Sequence, residues 1–367
     1  MHVVLAGGGS AGHIEPALNL ADALRQHDRS ISITLLGTAR GLEVRLVPAR
    51  GYDLQLIPAV PMPRRPNGDL VSLPFRLRRA ISEVRHILTS VRADVVVGFG
   101  GYVALPAYLG ARNRVPFVVH EANAKAGLAN RVGARFTKYV AETVPGSLPG
   151  ATLTGVPLRP SITSLDRQRE RAFARDFFGL DPELETLFVF GGSQGARRLN
   201  TAVRSALPLL AAAGVQVLHA FGQGNDEELQ ANMSGSPPYI ALPYIERMDL
   251  AYAAADLAVC RAGMMTVSEL TAVGLPAIYV PLPIGNGEQK LNAAPVVAAG
   301  GGRFIIDDEL TGTVMAAQVI ELLTIPTALE SMGLASSSLG VRDAGEKLRA
   351  LVLAAAGTSP PARGSHT

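Results

Sequence analysis

The sequence predicts an α/β protein with two doubly wound parallel sheets that face each other across a cleft. Strand and helix signals alternate along most of the chain, which is typical of parallel sheets covered by helices on both faces. The arrangement of a strand, a glycine-rich turn and a helix occurs twice, at residues 3–26 and 187–213. A chain of 367 residues is also longer than one hydrophobic core usually supports, so two domains are expected.

The composition indicates a compact globular protein and excludes several other classes. Hydrophobic residues make up 48% of the chain and charged residues 18%, which argues against disorder. The net charge of +3 is too small to indicate a nucleic-acid-binding protein. The single cysteine, Cys260, lies in a predicted buried strand, so a disulfide framework is excluded and a reducing compartment is favoured. We find neither a signal peptide nor an apolar run near the roughly 20 residues of a membrane span.

The first half of the chain contains six apolar segments of strand length, separated by segments with helical spacing. The strands are predicted at His2–Ala6, Ile31–Leu36, Leu54–Ile57, Asp94–Gly98, Phe117–His120 and Tyr139–Ala141. The helices are predicted at His13–Gln26, Gly41–Arg50, Val103–Arg112 and Leu128–Phe136. Glycine and proline are frequent at residues 145–160, which we interpret as an interdomain linker.

The second half repeats the pattern. Strands are predicted at Leu187–Phe190, Val215–Ala220, Tyr239–Leu242, Leu257–Cys260 and Ala277–Val280. Helices are predicted at Arg167–Phe178, Ala196–Ala213, Thr266–Val273, Gly287–Ala299, Met315–Leu323 and Ala344–Ala356. We therefore predict domains at residues 1–157 and 158–340, a C-terminal helix at 341–356 that could pack back on the first domain, and a flexible tail at 357–367.

The first glycine turn, Gly7–Gly12, resembles the dinucleotide-binding fingerprint but lacks its acidic partner. That fingerprint requires an acid at the end of the second strand, where this chain has Gly37-Thr38-Ala39. A nicotinamide enzyme is therefore disfavoured, although the turn could still offer backbone N–H groups to phosphate or sugar oxygens. His13 follows the turn directly. It is either a helix-end or core histidine or a base that takes a proton from an acceptor hydroxyl.

A further glycine turn and a polar strand end are expected at the same edge of the first sheet. Gly98–Tyr102 follows one predicted strand, and His120–Asn123 ends the next. The latter does not have the spacing of a zinc-binding HExxH helix, and the chain has no Asp-x-Asp pair to hold a metal diphosphate. We therefore expect metal-independent chemistry, with the diphosphate charge met by backbone N–H groups and Arg159.

The segment 261–292 is the most informative stretch of the second half. Two consecutive strand-to-helix turns bring Glu269, Gln289 and Asn292 to the carboxyl edge of a parallel sheet, where ligands bind in such folds. Glu269 is expected on the first turn of its helix, where a carboxylate can accept hydrogen bonds from two ribose hydroxyls. Compensation of the helix dipole is the alternative for Glu269, and ordinary surface polarity is the alternative for the other two.

Two other turns of the second half complete this expected site. Gly191–Asn200 is a phosphate-type loop in which Ser193 can donate to a phosphate oxygen and Gln194 points to the cleft. The backbone at Tyr244-Ile245, after a predicted strand, could contact the edge of a base.

Arginines alternate with large apolar residues at Met62–Pro66 and Leu73–Ile81. This pattern suits an anionic membrane surface. A solvated helix with a core-facing stripe is the equally open alternative.

Taken in order, these motifs resemble one family. GGGSAGH, GFGGYV, HEANAKAGLANR, GGSQGARRLN and CRAGMMTVSELTAVGLPAIYVPLP match the bacterial MurG family of UDP-N-acetylglucosamine:lipid-linked muramyl-pentapeptide N-acetylglucosaminyltransferases over about residues 2–300. The resemblance implies a GT-B fold of two Rossmann-like domains, with the acceptor in the N-terminal domain and the donor in the C-terminal one. It implies inverting transfer of N-acetylglucosamine to the muramyl 4-hydroxyl of lipid I, which gives lipid II.

The resemblance also implies roles for individual residues. Those with catalytic roles are His13, His120 and Glu121, with His13 the leading candidate for the base. Those that bind the donor are Ser10, Ala11, Gly12, Asn123, Arg159, Ser193, Gln194, Ile245, Met264, Thr266, Glu269, Gln289 and Asn292. Those that bind the acceptor are Gly100, Gly101 and Tyr102. The chain departs from the family at Glu288, where a glutamine is frequent, so the role of this position is open.

The implied partners are UDP-N-acetylglucosamine, lipid I and an anionic membrane surface at the cytoplasmic face of the cell membrane, without a cofactor, metal or nucleic acid. Three rival functions remain at this point. They are a related GT-B transferase acting on another lipid or a natural product, a UDP-N-acetylglucosamine 2-epimerase, and a non-catalytic nucleotide-sugar sensor.

Overall fold

The structure, a computed structural model, describes residues 1–60, 69–192, 195–223, 237–284 and 287–357. Met62, Ser193, Gln194 and the tail beyond Gly357 lie outside these ranges. The chain divides into two compact units. Unit 1 comprises Met1–Leu158 together with Asp343–Thr367, and unit 2 comprises Arg159–Arg342.

In unit 1 the described residues form a sheet of seven strands, all parallel, in the order β3-β2-β1-β4-β5-β6-β7. The strands are β1 (His2–Gly7), β2 (Ser32–Gly37), β3 (Asp53–Leu56), β4 (Val95–Gly100), β5 (Phe117–Glu121), β6 (Val140–Glu142) and β7 (Thr152–Leu153). The helices are α1 (Ala11–His27), α2 (Glu43–Ala49), α3 (Asp69–Ser90), α4 (Gly101–Ala111), α5 (Leu128–Gly133) and the C-terminal α14 (Ala344–Ala356).

Alternating residues of β1 fill two separate cores on the faces of this sheet. Val3 and Leu5 belong to the core beneath α1, whereas Val4 and Ala6 belong to the core beneath α4. This alternation is the period of two that side chains follow along any strand. Leu348, Val352 and Ala355 of α14 are fully buried in the first of these cores, so this C-terminal helix is part of unit 1.

In unit 2 the described residues form a six-stranded parallel sheet in the order β10-β9-β8-β11-β12-β13. The strands are β8 (Thr186–Phe190), β9 (Gln216–Ala220), β10 (Tyr239–Leu242), β11 (Leu257–Cys260), β12 (Ala277–Tyr279) and β13 (Gly302–Phe304). The helices are α6 (Pro160–Thr163), α7 (Arg167–Phe178), α8 (Arg197–Ala212), α9 (Met248–Ala254), α10 (Met264–Val273), α11 (Glu288–Ala298), α12 (Gly312–Leu323) and α13 (Pro326–Ser337).

Both sheets reverse their strand order at one point, and that point determines where ligands can bind. The chain winds outward from β1 in one direction and then continues from β4 in the other, and unit 2 does the same at β8 and β11. The loops after these strands diverge at the reversal and leave a crevice outside the carboxyl ends of the strands. The glycine turns singled out in the sequence are these loops.

The doubly wound α/β fold predicted from the sequence is confirmed, and Cys260 is a fully buried core residue as expected. The interpretation of residues 145–160 as a linker is wrong in part. Thr152–Leu153 forms β7 and pairs with β6, and Val156 and Leu158 are buried. A strand of two exposed residues gives too short a pattern to separate from a glycine- and proline-rich loop.

Candidate functional site

The glycine turn after β1 places His13 in the first turn of α1. Ser10 precedes the helix, and its carbonyl accepts hydrogen bonds from the backbone N–H groups of His13 (3.1 Å) and Ile14 (3.2 Å). The Ser10 hydroxyl lies 3.0 Å from His13 Nδ1. Ala11 and Gly12 are the first two helical residues, so their N–H groups point out of the helix end. The turn therefore fixes the His13 ring through Ser10.

The glycine turn after β4 packs directly against His13. Gly100 and Gly101 have φ angles of +97° and +76°, which favour glycine. A Cβ on Gly100 would lie 3.0 Å from His13 Nε2, and one on Gly101 would lie 2.2 Å from the Gly8 carbonyl oxygen. Tyr102, which is half exposed, follows at the start of α4. Three residues expected to bind the acceptor thus lie beside the expected base.

Burial lowers the pKa of His13 below its usual value, because desolvation disfavours the charged imidazolium. The ring is therefore neutral at neutral pH. When Nδ1–H donates to the Ser10 hydroxyl oxygen, Nε2 carries the lone pair and lies beside Gly100. In this tautomer His13 can accept a proton from a hydroxyl bound between the two turns.

His120 does not face solvent, which differs from the expectation for a group that touches substrate. Its ring is fully buried, lies 5.3 Å from the Phe99 ring, and donates a hydrogen bond from Nε2 to the Gly155 carbonyl at 2.9 Å. Burial lowers the pKa of His120 to about 4. The side chain is thus a neutral group that ties β5 to the segment after β7.

Glu121 is also buried, and its carboxylate organises the loop that follows β5. Oε1 accepts a hydrogen bond from the backbone N–H of Asn123 at 2.9 Å, and Oε2 accepts one from Gly127 at 3.0 Å. Burial raises the pKa of Glu121, and the hydrogen bonds to its oxygens oppose that rise. The half-buried side chain of Asn123 is carried by this loop.

Two buried residues of unit 1 take part in the site although they were not singled out in the sequence. Asn130 donates from Nδ2 to the His120 carbonyl (3.0 Å) and to Glu121 Oε2 (2.9 Å), and it accepts from the Tyr108 hydroxyl (2.7 Å). Glu43, the first residue of α2, reaches the glycine turn after β1. Glu43 lies five residues beyond Thr38, where an inspection of the strand end does not find it, and its complete burial distinguishes it from the ribose-binding acid of the fingerprint.

In unit 2, Glu269 lies on the second turn of α10, and its expected place on the first turn is wrong. The helix begins at Met264 and not at Thr266, because the Gly263 backbone is extended and ends the loop two residues earlier. Glu269 is 5% exposed. Its Oε2 accepts a hydrogen bond from the Tyr252 hydroxyl at 2.7 Å, and Oε1 lies 3.6 Å from Arg159 Nη2. Two expected donor-binding residues are thus an ion pair.

Gln289 and Asn292 of α11 hold the loops that follow β11 and β12. Gln289 Oε1 accepts hydrogen bonds from the backbone N–H groups of Ala262 (3.2 Å) and Leu282 (2.9 Å). Asn292 is buried, and its Nδ2 lies 3.4 Å from the Ala262 carbonyl oxygen. The two amides therefore position the loop that leads into α10. Glu288 is the first residue of α11 and is partly exposed.

A carboxylate and two arginines connect the glycine turns of unit 2. Arg261, in the loop after β11, forms an ion pair with Asp307 and donates to the Val280 carbonyl at 3.1 Å. Arg198, in the first turn of α8, lies 3.5 Å from the same carboxylate and donates to the Asp307 carbonyl at 2.6 Å. Two cations are thereby held where the loops of β8 and β11 diverge.

The remaining expected residues of unit 2 lie near the same sheet edge. Thr266 is on the first turn of α10 with Met264, and Ile245 is buried in the loop after β10. Within the described ranges, no group of three or more His, Cys, Asp or Glu side chains could hold a metal ion. Metal independence of the chemistry stays a prediction.

Across the described residues, no single helix has the length and apolar content needed to cross a membrane. One pair of consecutive helices has that length and apolar content only when the two helices are taken together, and this pair is bent by 95°.

Comparison with known proteins identifies the family. The profile of the glycosyltransferase family 28 N-terminal domain matches residues 3–142, and that of the family 28 C-terminal domain matches residues 186–348. A UDP-N-acetylglucosamine–N-acetylmuramyl-(pentapeptide) pyrophosphoryl-undecaprenol N-acetylglucosamine transferase of Streptomyces avermitilis is 59% identical over 354 residues, which cover 96% of this chain and 98% of the relative. A transferase of the same name from Mycolicibacterium paratuberculosis is 58% identical over 370 residues, covering 99% of this chain and 91% of the relative.

A solved structure agrees with these relatives. The crystal structure of Acinetobacter baumannii MurG superposes with a TM-score of 0.78 at 30% identity and covers 96% of this chain and 99% of its own. Its similarity extends over both units, so it confirms the GT-B fold that the motifs implied. The chain belongs to glycosyltransferase family 28, among its UDP-N-acetylglucosamine–N-acetylmuramyl-(pentapeptide) pyrophosphoryl-undecaprenol N-acetylglucosamine transferases.

Proposed function

We propose that this chain transfers N-acetylglucosamine from UDP-N-acetylglucosamine to the muramyl 4-hydroxyl of lipid I, giving lipid II. Unit 1 binds the acceptor and supplies the base, and unit 2 binds the donor. The observation that carries this division is the neutral imidazole of His13 between two glycine turns of unit 1. Family membership supports the same reaction.

The proposed reaction is a single displacement that inverts the anomeric centre. The acceptor oxygen forms a bond to the anomeric carbon while the bond between that carbon and the UDP oxygen breaks. His13 Nε2 takes the acceptor proton, and UDP leaves with the electron pair. Burial of the ring favours this role, because a neutral imidazole is already in the form that accepts a proton.

His120 and Glu121 have supporting roles in this proposal. The His120 ring has its Nε2 bonded to Gly155, and the Glu121 carboxylate is bonded to the loop of Asn123 and Gly127. Both groups therefore act by holding the acceptor side of unit 1 in place. This arrangement favours Nε2 of His13 over either of them as the base.

Donor binding in unit 2 is proposed to use the edge of the sheet between β8 and β11. Glu269 accepts hydrogen bonds from the ribose hydroxyls, and the half-buried amide of Gln289 and the buried amide of Asn292 contact the sugar. The N-terminal end of α10 and Arg159 meet the diphosphate, since helix N-termini and guanidinium groups both favour phosphate oxygens. No metal is needed for this charge balance.

We also propose that α3 rests on the anionic cytoplasmic face of the cell membrane, where a polyprenyl acceptor would be anchored. Phe75 is 77% exposed, and Arg78 and Arg79, three and four positions later, are exposed on the same side of the helix. An exposed aromatic ring beside two guanidinium groups suits a surface of anionic lipid headgroups. Met62, Arg64 and Arg65, which belong to the same expected patch, lie outside the described residues.

The test is transfer of radiolabelled N-acetylglucosamine from its UDP conjugate to a short-chain lipid I analogue, with EDTA present. Labelled disaccharide product is expected, and its formation in EDTA would support metal independence. N-acetylmannosamine released without any acceptor would instead indicate a 2-epimerase. UDP released only with some other acceptor would keep the donor site and overturn the proposed acceptor.

A further inference from the structure

The Glu43 carboxylate lies behind the glycine turn of unit 1 and is completely buried. Its Oε1 accepts hydrogen bonds from the Thr38 backbone N–H at 2.7 Å and from the Thr38 hydroxyl at 2.9 Å. Its Oε2 accepts a hydrogen bond from the Gly9 backbone N–H at 3.1 Å. Both oxygens of this group therefore accept from backbone N–H donors. It links the turn after β1 to the end of β2.

Three glycines leave the space that this carboxylate occupies. A Cβ on Gly8 would lie 3.0 Å from Glu43 Oε1, one on Gly37 would lie 2.4 Å from Glu43 Cγ, and one on Gly41 would lie 1.9 Å from Glu43 Oε2. Any side chain at the last two positions would displace Glu43. The segment from the first turn to α2 is therefore shaped around one carboxylate.

The hydrogen bond from Gly9 acts close to the expected base. Gly9 precedes Ser10, whose hydroxyl contacts His13 Nδ1 at 3.0 Å and whose carbonyl accepts from the His13 backbone N–H at 3.1 Å. Gly9 itself has a φ angle of +89°, a conformation that glycine adopts in a wide range of turns. The bond to Glu43 selects one arrangement of this turn and thereby the position of Ser10.

We propose that Glu43 is a positioning residue for the transfer reaction. By holding the Gly9 N–H, it keeps Ser10 in the place that orients the His13 ring against the second glycine turn. This inference rests on the proposed function, since it takes His13 as the base of the acceptor side.

Glu142 offers a matched control in the same unit. It is a buried carboxylate at the end of β6, and it also accepts three hydrogen bonds, from Gly146 N (2.9 Å), Ser147 Oγ (3.0 Å) and Leu148 N (3.0 Å). The loop that it holds carries none of the candidate site residues. Replacing either glutamate with glutamine keeps the size of the side chain but sets an NH₂ group against a backbone donor.

The test compares Glu43→Gln with Glu142→Gln in steady-state transfer to the lipid I analogue. Glu43→Gln is expected to lower kcat roughly 10- to 100-fold, because a small displacement of a base is costly, while the KM for the donor stays within about twofold of the wild type. Glu142→Gln is expected to keep kcat within about twofold while losing a similar amount of thermal stability. Equal losses of kcat in the two variants would overturn the inference.

A second readout does not depend on activity. In protein labelled with ¹⁵N at histidine, the imidazole signals of His13 are assigned from their loss in His13→Asn. We expect Glu43→Gln to shift these signals and Glu142→Gln to leave them in place. Unchanged His13 signals in Glu43→Gln would overturn the positioning role even if the wild type showed no transfer. Absence of transfer by the wild type would overturn the proposed function alone.

Discussion

The glycine turns of the two units share one local design but have different charged groups behind them. In unit 1 the turn after β1 is held by the Glu43 carboxylate, whose three hydrogen-bond donors are uncharged groups. In unit 2 the corresponding region holds two arginines, Arg198 and Arg261, around Asp307. Arg198 also pairs with Asp308, so the two arginines and two carboxylates of unit 2 balance in charge, whereas none of the hydrogen-bond donors of Glu43 is a cation.

The comparison shows how one local design is held in place by different side chains. The backbone of a strand, glycine turn and helix offers N–H groups in either unit, and the side chains behind it decide what those groups meet. Unit 1 uses the Gly9 N–H for Glu43, so its turn suits an uncharged sugar hydroxyl beside His13. Unit 2 pairs its two arginines with Asp307 and Asp308, so this cluster of four charged side chains carries no net charge.

The largest expected effect concerns His13 and tests whether unit 1 supplies the chemistry. His13→Asn should lower kcat by roughly 10²- to 10⁴-fold, because the general base is lost, and should leave donor affinity nearly unchanged. The measurement is kcat at saturating donor and acceptor, with donor Kd from calorimetry. His27→Asn, an exposed histidine on the same helix, is the control and should retain full activity. A donor Kd that weakens in parallel with kcat would contradict the division between units.

The second effect concerns Glu269 and tests whether unit 2 binds the nucleotide. Glu269→Ala should raise the donor KM by one to two orders of magnitude, which is roughly 1.5–3 kcal/mol for a hydrogen-bonded charge. The variant also leaves Tyr252 and Arg159 without their carboxylate, so its stability must be measured as well.

In the Glu269→Ala result, a lost contact with the donor must be separated from a lost hydrogen bond within unit 2. Tyr252→Phe makes this separation. It removes the hydrogen bond to Glu269 but leaves the carboxylate in place, so the donor KM should change less than about threefold. A KM as high as that of Glu269→Ala would mean that Glu269 acts only through the fold of unit 2.

A third prediction uses one buried histidine from each unit. Burial lowers the pKa of both His120 and His219 to about 4 from a usual value of 6.5. Between these pH values the unfolded chain binds more protons than the folded one, so stability decreases as the pH falls from 6.5 towards 4. Each histidine contributes a loss of roughly 1.4 kcal/mol per pH unit.

The measurement is urea unfolding at a series of pH values with probes in each unit. His219→Gln keeps hydrogen-bonding groups near Tyr239 and Asn200. This variant should flatten the pH dependence of the stability of unit 2 and leave the pH dependence of the stability of unit 1 unchanged. An unaltered slope in unit 2 would show that other groups cause the acid sensitivity.

The smallest expected effect per residue concerns the surface of α3. Replacing Arg78 and Arg79 with serine should weaken binding to anionic vesicles by about 1 kcal/mol for each arginine, which is roughly fivefold for each and roughly 30-fold for the pair. Turnover of a soluble acceptor analogue should stay unchanged, and binding should fall as salt is added. The control replaces Arg29 and Arg114, which are exposed elsewhere on unit 1. Equal weakening by both pairs would indicate general charge attraction and not a specific surface.

The sequence alone predicted the strands well, because each is a short apolar run bounded by glycine or polar residues. β10 and β11 begin and end where the pattern predicts, and β1 differs by one residue. The short elements β7, β13 and α6 were missed, since two to four residues give too little pattern. The longer helices α9 and α13 were not predicted either, and α3 was considered only as an alternative for Leu73–Ile81.

The sequence proposed candidate site residues where a motif follows a strand, but it did not report the surroundings that the tertiary structure gives them. The motifs identified His13, Glu269 and Gln289, but not that Glu269 is paired with Arg159. His120 was expected at the substrate because a polar strand end often is functional, yet its ring lies in the core against Phe99. Burial depends on residues distant in the chain, which a local motif does not report.

By itself, the sequence determined the alternation of strands and helices, the glycine turns between them and the family to which the chain belongs. These properties depend on local spacing and residue type, which the chain carries directly. Only the tertiary structure decided that Glu43 reaches Gly9 across 34 positions, and that Asp307 joins Arg198 to Arg261. Contacts of this kind arise when parallel strands bring distant loops to one sheet edge, so the charge behind each turn is a property of the fold.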